Sequence, residues 1–131
     1  MEKLLIKVPV SLGELVDKIT ILRIKQACMT DEEKLSNVTH EYNMLVAIPE
    51  YVAVKDTIAS QEEALHKVNQ RLWYYEDDIR DFHKSGNVSN NLAAISHVAK
   101  GIHITNDERS RIKKEINIMC NSELVEEKSY E

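Results

Sequence analysis

Three glycines and two prolines among 131 residues leave little material for turns. That scarcity excludes a many-stranded sheet and points to a few long helices. Cysteine is equally scarce. Cys28 and Cys120 stand far apart, with no CxxC spacing and no histidine at ligand distance in sequence. A disulfide scaffold and a zinc site are therefore excluded, and a reduced cytoplasmic pair is expected. No apolar run approaches the length of a bilayer span, and the opening MEKLLIKVPV is too short and too polar for a signal h-region. An excess of basic charge is also missing. The net charge is -5, a field that repels a phosphate backbone or an anionic membrane. The densest basic group, Arg109, Arg111, Lys113 and Lys114, is interleaved with Asp107, Glu108 and Glu115, as on a solvated helix face. No P-loop, GxGxxG or Ser-His-acid grouping occurs.

What the chain does have is apolar periodicity. Hydrophobic residues make up 43% and charged residues 30%, the balance of an ordinary globular domain. A chain of this length buries roughly two-thirds of its unfolded surface, so one helical domain over residues 1–131 is expected. Leu4 to Val8 reads as a short extended segment ahead of Pro9. Ser11 and Glu14 then form a capping box, with Val10 and Leu15 as its hydrophobic staple. Leu12, Leu15, Val16, Ile19 and Leu22 carry a first helix to about Met29. A second capping box, Thr30 with Glu33, opens a helix whose buried face is Leu35, Val38, Tyr42 and Leu45, ending near Pro49. The short connection between the two implies an antiparallel hairpin.

From Glu50 onward, Tyr51, Val54, Ile58, Gln61, Leu65, Val68, Leu72, Tyr75, Ile79 and Phe82 follow alternating steps of three and four. The spacing predicts one central helix of about 35 residues, on the order of 50 Å long. Its stripe would be covered by the shorter helices or by a second copy. Gly86 suits a C-cap, and residues 85–91 should reverse the chain. A last helix from about Asn91 to Cys120 carries Leu92, Ile95, Val98, Ile102, Ile112, Ile116 and Met119 on one stripe, running continuous or mildly kinked through Gly101 to Asp107. The expected fold is thus all-α, with two antiparallel hairpins in a four-helix-bundle-like arrangement and short extended ends. The acidic SELVEEKSYE end reads as frayed. If it is fixed instead, Leu124 and Val125 would pair with Leu4 to Val8 and bring Glu126, Lys128 and Tyr130 near Glu14 and Asp17 in a mixed-charge pocket.

Together VPVSLGELVDKITIL, LWYYEDDIR, TNDERSRIKKEIN and SELVEEKSY resemble a family of short bacterial and phage proteins of unknown function. The likeness covers nearly the whole chain and implies a domain of this size, without an activity.

Several constellations carry possible chemistry. Glu14 and Asp17, beside Lys18, share a helix face at the ExxD spacing that holds hydrated Mg²⁺ when another helix adds acids. Glu76, Asp77 and Asp78, near Trp73, are a second acidic group. With LGELVDKI they are similar to the all-α nucleotide pyrophosphatases, although 59 residues separate Asp17 from Glu76. The plainer reading is a capping glutamate and solvated acids. Arg109, in the run with Asn106, Asp107, Arg111 and Lys114, lies on an apolar stripe and needs an acid partner, expected to be Glu62, Glu63 or Glu76. Alternatively Arg109, Arg80 and Lys114 would bind a small anionic ligand, in the manner of helical chorismate mutases. Glu63 and His66 make an ExxH pair, but a second such pair is absent, so no metal and no cofactor is expected. Of Trp73, Tyr74 and Tyr75, Tyr75 is assigned to the core and one neighbour must face out or fill an interface.

The function expected first is a helical binding or regulatory module acting through a partner protein or self-association, as a homodimer. The alternative is a Mg²⁺-dependent nucleotide phosphohydrolase or other small-anion enzyme built on Glu14, Asp17, Glu76, Asp77 and Arg109, with Lys18, Trp73, Arg80, Asn106, Asp107, Lys114, Lys128 and Tyr130 around its ligand.

Overall fold

The computed structural model describes residues 2–86 and 91–129. It is all-helical, with no strand among the described residues. Its elements are α1 (Leu12–Cys28), α2 (Glu32–Val46), α3 (Pro49–Val54), α4 (Ala59–Ser85) and α5 (Leu92–Met119). None of these helices is long and apolar enough to cross a membrane.

Ser11 caps α1, its hydroxyl accepting from the Glu14 amide at 3.0 Å. The reciprocal half of the expected box does not form, because the Glu14 carboxylate turns to Lys113. The staple fails too, with Val10 exposed and Leu15 buried. On α2 the cap lies one residue later than expected. Asp31, not Thr30, accepts from the Lys34 amide at 2.9 Å, and a carboxylate at that position also meets the positive helix end. The α2 stripe is only half-buried, so this helix forms the outer flank of the fold.

The single central helix is not observed. The run breaks at residues 55–58 into the short α3 and the longer α4. Pro49 opens α3 at its first turn, where a missing amide costs nothing. The break has a tertiary cause. In one straight helix Tyr51 and Glu62 would be about 16 Å apart along the axis, yet the Tyr51 hydroxyl donates to Glu62 at 2.6 Å. The bend also buries both Tyr51 and Ile58, and it does so at little cost in main-chain bonding, since the amides of Thr57 and Ile58 still bond the Val54 carbonyl at 2.9 and 3.2 Å.

Gly86 ends α4 in the left-handed region, at φ 67°. The chain reversal expected over residues 85–91 falls largely outside the described residues. Beyond it α5 runs unbroken through Gly101 to Asp107. Gln61 reaches Glu115, Arg71 reaches Glu108, and Tyr75 lies against Gly101, so α5 runs antiparallel to α4. Leu92 and Met119, the ends of the expected stripe, are exposed.

One core joins the elements: Leu15, Val16 and Ile19 of α1, Tyr51, Ile58, Leu65 and Val68, and Ile112 and Ile116 of α5. The central helix is α1, which packs on α2, α4 and α5. Gly13 permits the close approach to α5, since a Cβ there would overlap the Lys113 carbonyl oxygen.

The end of the chain is not frayed over residues 122–128. Ser122 accepts from the Leu12 amide at 3.1 Å, and Glu126 accepts from the Ser11 hydroxyl at 2.6 Å. Lys114 holds Glu127 at 3.0 Å, and Lys128 holds Asp107 at 2.7 Å. The expected two-stranded patch is also absent, because Leu124, Val125 and Leu4 to Val8 are exposed and not in strands.

Candidate functional site

The densest polar group in the interior lies where α1, α4 and α5 meet. Asp17, on the α1 face opposite its solvent side, has a side chain only 2% exposed. Its Oδ1 accepts from Arg109 Nε at 2.9 Å and from Asn69 Nδ2 at 2.9 Å. Its Oδ2 accepts from Arg109 Nη2, completing a bidentate fork. Asn69 also donates to the Thr20 hydroxyl at 2.9 Å, and that hydroxyl donates to the Asp17 carbonyl at 2.7 Å. One turn earlier on α1, Glu14 accepts from Lys113 at 2.7 Å, and Lys113 also lies 4.0 Å from Asp17. Hydrogen bonding to Asp17 holds the Arg109 guanidinium above its ordinary range; desolvation opposes this and the charges of Asp17 and Glu14 reinforce it. Arg109 is therefore charged at every accessible pH.

The group continues to the N-terminus of α1. Asn117 Oδ1 accepts from the Gly13 amide at 2.6 Å, and Ser122 and Ser11 take the amides of Leu12 and Glu14. Three of the four amides a helix leaves open at its start thus have side-chain partners.

Arg109 does meet an acid, but the partner is Asp17 and not Glu62, Glu63 or Glu76. The α5 stripe faces the groove between α1 and α4 rather than α4 alone. Glu62 is already engaged by Tyr51 and lies 3.8 Å from Arg23, while Arg71 of α4 takes Glu108 at 3.1 Å.

Of the residues singled out from sequence, Glu14, Asp17 and Arg109 come together. Glu76 and Asp78 are exposed on α4, and Asp77 pairs with Arg80 of its own helix at 2.7 Å. Lys18 turns outward to Glu41 at 3.1 Å. Asn106 is half-buried on α5, Asp107 and Lys128 hold each other, and Lys114 holds Glu127. Trp73 is half-buried beside α1 and Tyr74 is exposed. Tyr130 lies outside the described residues. Among the described residues no three His, Cys, Asp or Glu side chains converge as a metal site would require.

The sequence reading missed Asn69, Asn117, Gly13 and Ser122. A usable signal existed. Asn69 and Asn117 each follow directly on a core residue, Val68 and Ile116, where an amide is buried only if bonded.

No curated protein and no solved structure matches the chain. Residues 6–131 match the model of the family of unknown function DUF6165, and the chain belongs to that family.

Proposed function

We propose that this protein is a binding module that self-associates through its N-terminal arm. One observation carries the reading. Leu4, Ile6, Val8 and Val10 alternate along a non-helical segment, with exposures of 87, 73, 66 and 49%. Alternation of this kind puts four apolar side chains on one face of an extended chain, and a lone extended segment has main-chain donors and acceptors open to a second strand. Two such arms, one from each copy, pair as a two-fold, self-complementary unit.

In this reading two helical hairpins, α1 with α2 and α4 with α5, form the scaffold that presents the arm. The polar group at the start of α1 fixes the arm's root. Apolar surface continues at the same end, where Ile118 and Met119 of α5 are exposed beside a groove of about 380 Å³. The free thiols of Cys28 and Cys120 suit work in the cytoplasm. The phosphohydrolase alternative needs Asp17, Asp77 and Arg109 open to one ligand, and all three have protein partners.

Light scattering coupled to size exclusion tests the reading, comparing the wild-type chain with an Ile6→Asp/Val8→Asp double variant. The wild type should run as a dimer and the variant as a folded monomer, its melting temperature independent of protein concentration where that of the wild type rises with it. A monomeric wild type, or equal masses for the two, would refute it.

A further inference from the structure

After α5 the chain turns at Asn121, which sits in the left-handed region at φ 54°, a conformation asparagine takes more readily than most residues. Ser122 anchors this turn, its amide bonding the Asn117 carbonyl at 2.8 Å. Beyond it the contacts change character. Among the described residues, the amides and carbonyls of residues 123–127 make no hydrogen bond to the main chain of the helices, and the two apolar side chains there, Leu124 and Val125, are 41 and 39% exposed. What holds this segment is polar: Glu126 on the Ser11 hydroxyl at 2.6 Å, Glu127 on Lys114 at 3.0 and 3.2 Å, and Lys128 on Asp107 at 2.7 Å.

Both ion pairs lie in water, their side chains between 37 and 69% exposed. An exposed pair of this kind shifts a closed-to-open ratio by only about 1.4- to 5-fold, and salt screens it. The segment is therefore a detachable strap, hinged at Asn121. It reaches the root of the N-terminal arm, since Ser11 is the residue at which the arm becomes α1. Releasing the strap does not uncap the helix. The Ser11 oxygen still accepts from the Glu14 amide at 3.0 Å, and Ser122, on the anchored side of the hinge, still accepts from the Leu12 amide at 3.1 Å. What is lost is the Glu126 contact that ties Ser11 to the strap, which leaves the arm on a root held by α1 and Ser122 alone.

We propose that residues 123–128 form an ionic latch on the N-terminal arm, closed when Glu127 and Lys128 are paired, and that ionic strength sets self-association through it. The control of pairing rests on the arm being the dimer contact. A latched root presents the arm in one direction, whereas a loose one must be ordered when two copies meet, at a cost in affinity. Salt also screens the repulsion between two chains of charge -5, so the decisive comparison is between proteins of equal charge.

Asp107→Asn, Lys114→Gln, Glu127→Gln and Lys128→Gln, made together in the whole chain, remove both ion pairs by deleting two charges of each sign. Amide ¹⁵N relaxation on the Ile6→Asp/Val8→Asp background reads the latch without the dimer. At ~0.01 M NaCl, where the Debye length is about 30 Å, residues 123–128, Val10 and Ser11 should be ordered, and at ~1 M, where it is about 3 Å, they should loosen together. The latch-free chain should be loose at both. With the native arm, analytical ultracentrifugation should give the latch-free chain a dimer dissociation constant about twofold or more above the wild type at low salt, the two converging at high salt. Residues 123–128 that keep their order through salt and substitution overturn the latch. A loosened strap with Val10 and Ser11 unmoved overturns its hold on the arm, and equal dissociation constants at low salt overturn its control of pairing. A wild type that is monomeric at every salt refutes the self-association reading and that control with it, while relaxation still decides the latch.

Discussion

Replacing Arg109 with Met removes the guanidinium from Asp17 and keeps most of the aliphatic volume. It strands a carboxylate whose side chain is 2% exposed, with Asn69 at 2.9 Å and Lys113 at 4.0 Å as its remaining partners. Breaking a buried pair from one side costs about 3–5 kcal/mol, and the near-complete burial of Asp17 places this variant near ~4. The converse change, Asp17→Asn, keeps an acceptor for Asn69 and strands a guanidinium that is 30% exposed. Water screens that charge, so the cost drops to about 2 kcal/mol. For a domain of this size each kcal/mol shifts the melting temperature by roughly 3–5 °C, giving drops of about 12–20 °C and 6–10 °C. The double variant should cost no more than Arg109→Met alone, a coupling of about 2 kcal/mol in a double-mutant cycle. Urea denaturation at neutral pH measures all three. Additive costs, or a larger loss for Asp17→Asn than for Arg109→Met, would refute the account of a closed and mutually dependent pair.

Two further predictions rest on single contacts. Gly13→Ala should cost about 3 kcal/mol, because its Cβ meets the Lys113 backbone carbonyl, whereas Gly101→Ala should fall within ~1 kcal/mol of the wild type; at Gly101 the Cβ meets the Tyr75 ring at 2.8 Å, which can turn aside while alanine improves helix propensity. Equal losses in thermal melts would contradict the distinction between backbone and side-chain contact. The lowered pKa of His66 means the unfolded chain takes up its proton first, so this contribution is whole above about pH 6.5 and declines as pH falls toward the folded value. Denaturation midpoints at pH ~7.5 and ~5.5 should therefore differ less in His66→Gln than in the wild type, and an equal difference would count against the burial of a neutral ring.

Local chemistry was legible where one residue decides the outcome. Ser11 ahead of an apolar stripe marks the start of α1 whatever the rest of the chain does. At Thr30 and Asp31 two capable caps are adjacent, and the carboxylate prevails by a margin the sequence does not display. The ladder from Tyr51 to Phe82 shows which face is apolar, and that much holds at Tyr51, Ile58, Leu65 and Val68. Periodicity says nothing of continuity, which here depends on a hydrogen bond between Tyr51 and Glu62 that only the folded chain forms. The need of Arg109 for an acid was readable from its place on the stripe. The choice of Asp17 was not, because it depends on which two helices flank α5.

The polar contacts of α1 also explain why a costly buried ion pair has a place in so small a core. Gly13 with Asn117, Glu14 with Lys113 and Asp17 with Arg109 are three rungs of one antiparallel ladder. Apolar contacts alone would tolerate a slip of α1 by one turn, about 5.4 Å, since Leu15, Val16 and Ile19 present similar surfaces at either register. The same slip would break all three rungs at once, drive the first turn of α1 against α5 without the clearance that Gly13 provides, and leave Asp17 and Arg109 buried apart. Replacing Asp17 and Arg109 by an apolar pair of equal volume should therefore preserve stability and leave the register to the Gly13 and Glu14 rungs alone. Because the N-terminal arm leaves the fold at Ser11, a lost register would also move the arm's root away from Ser122 and Glu126, which hold it at the end of α5.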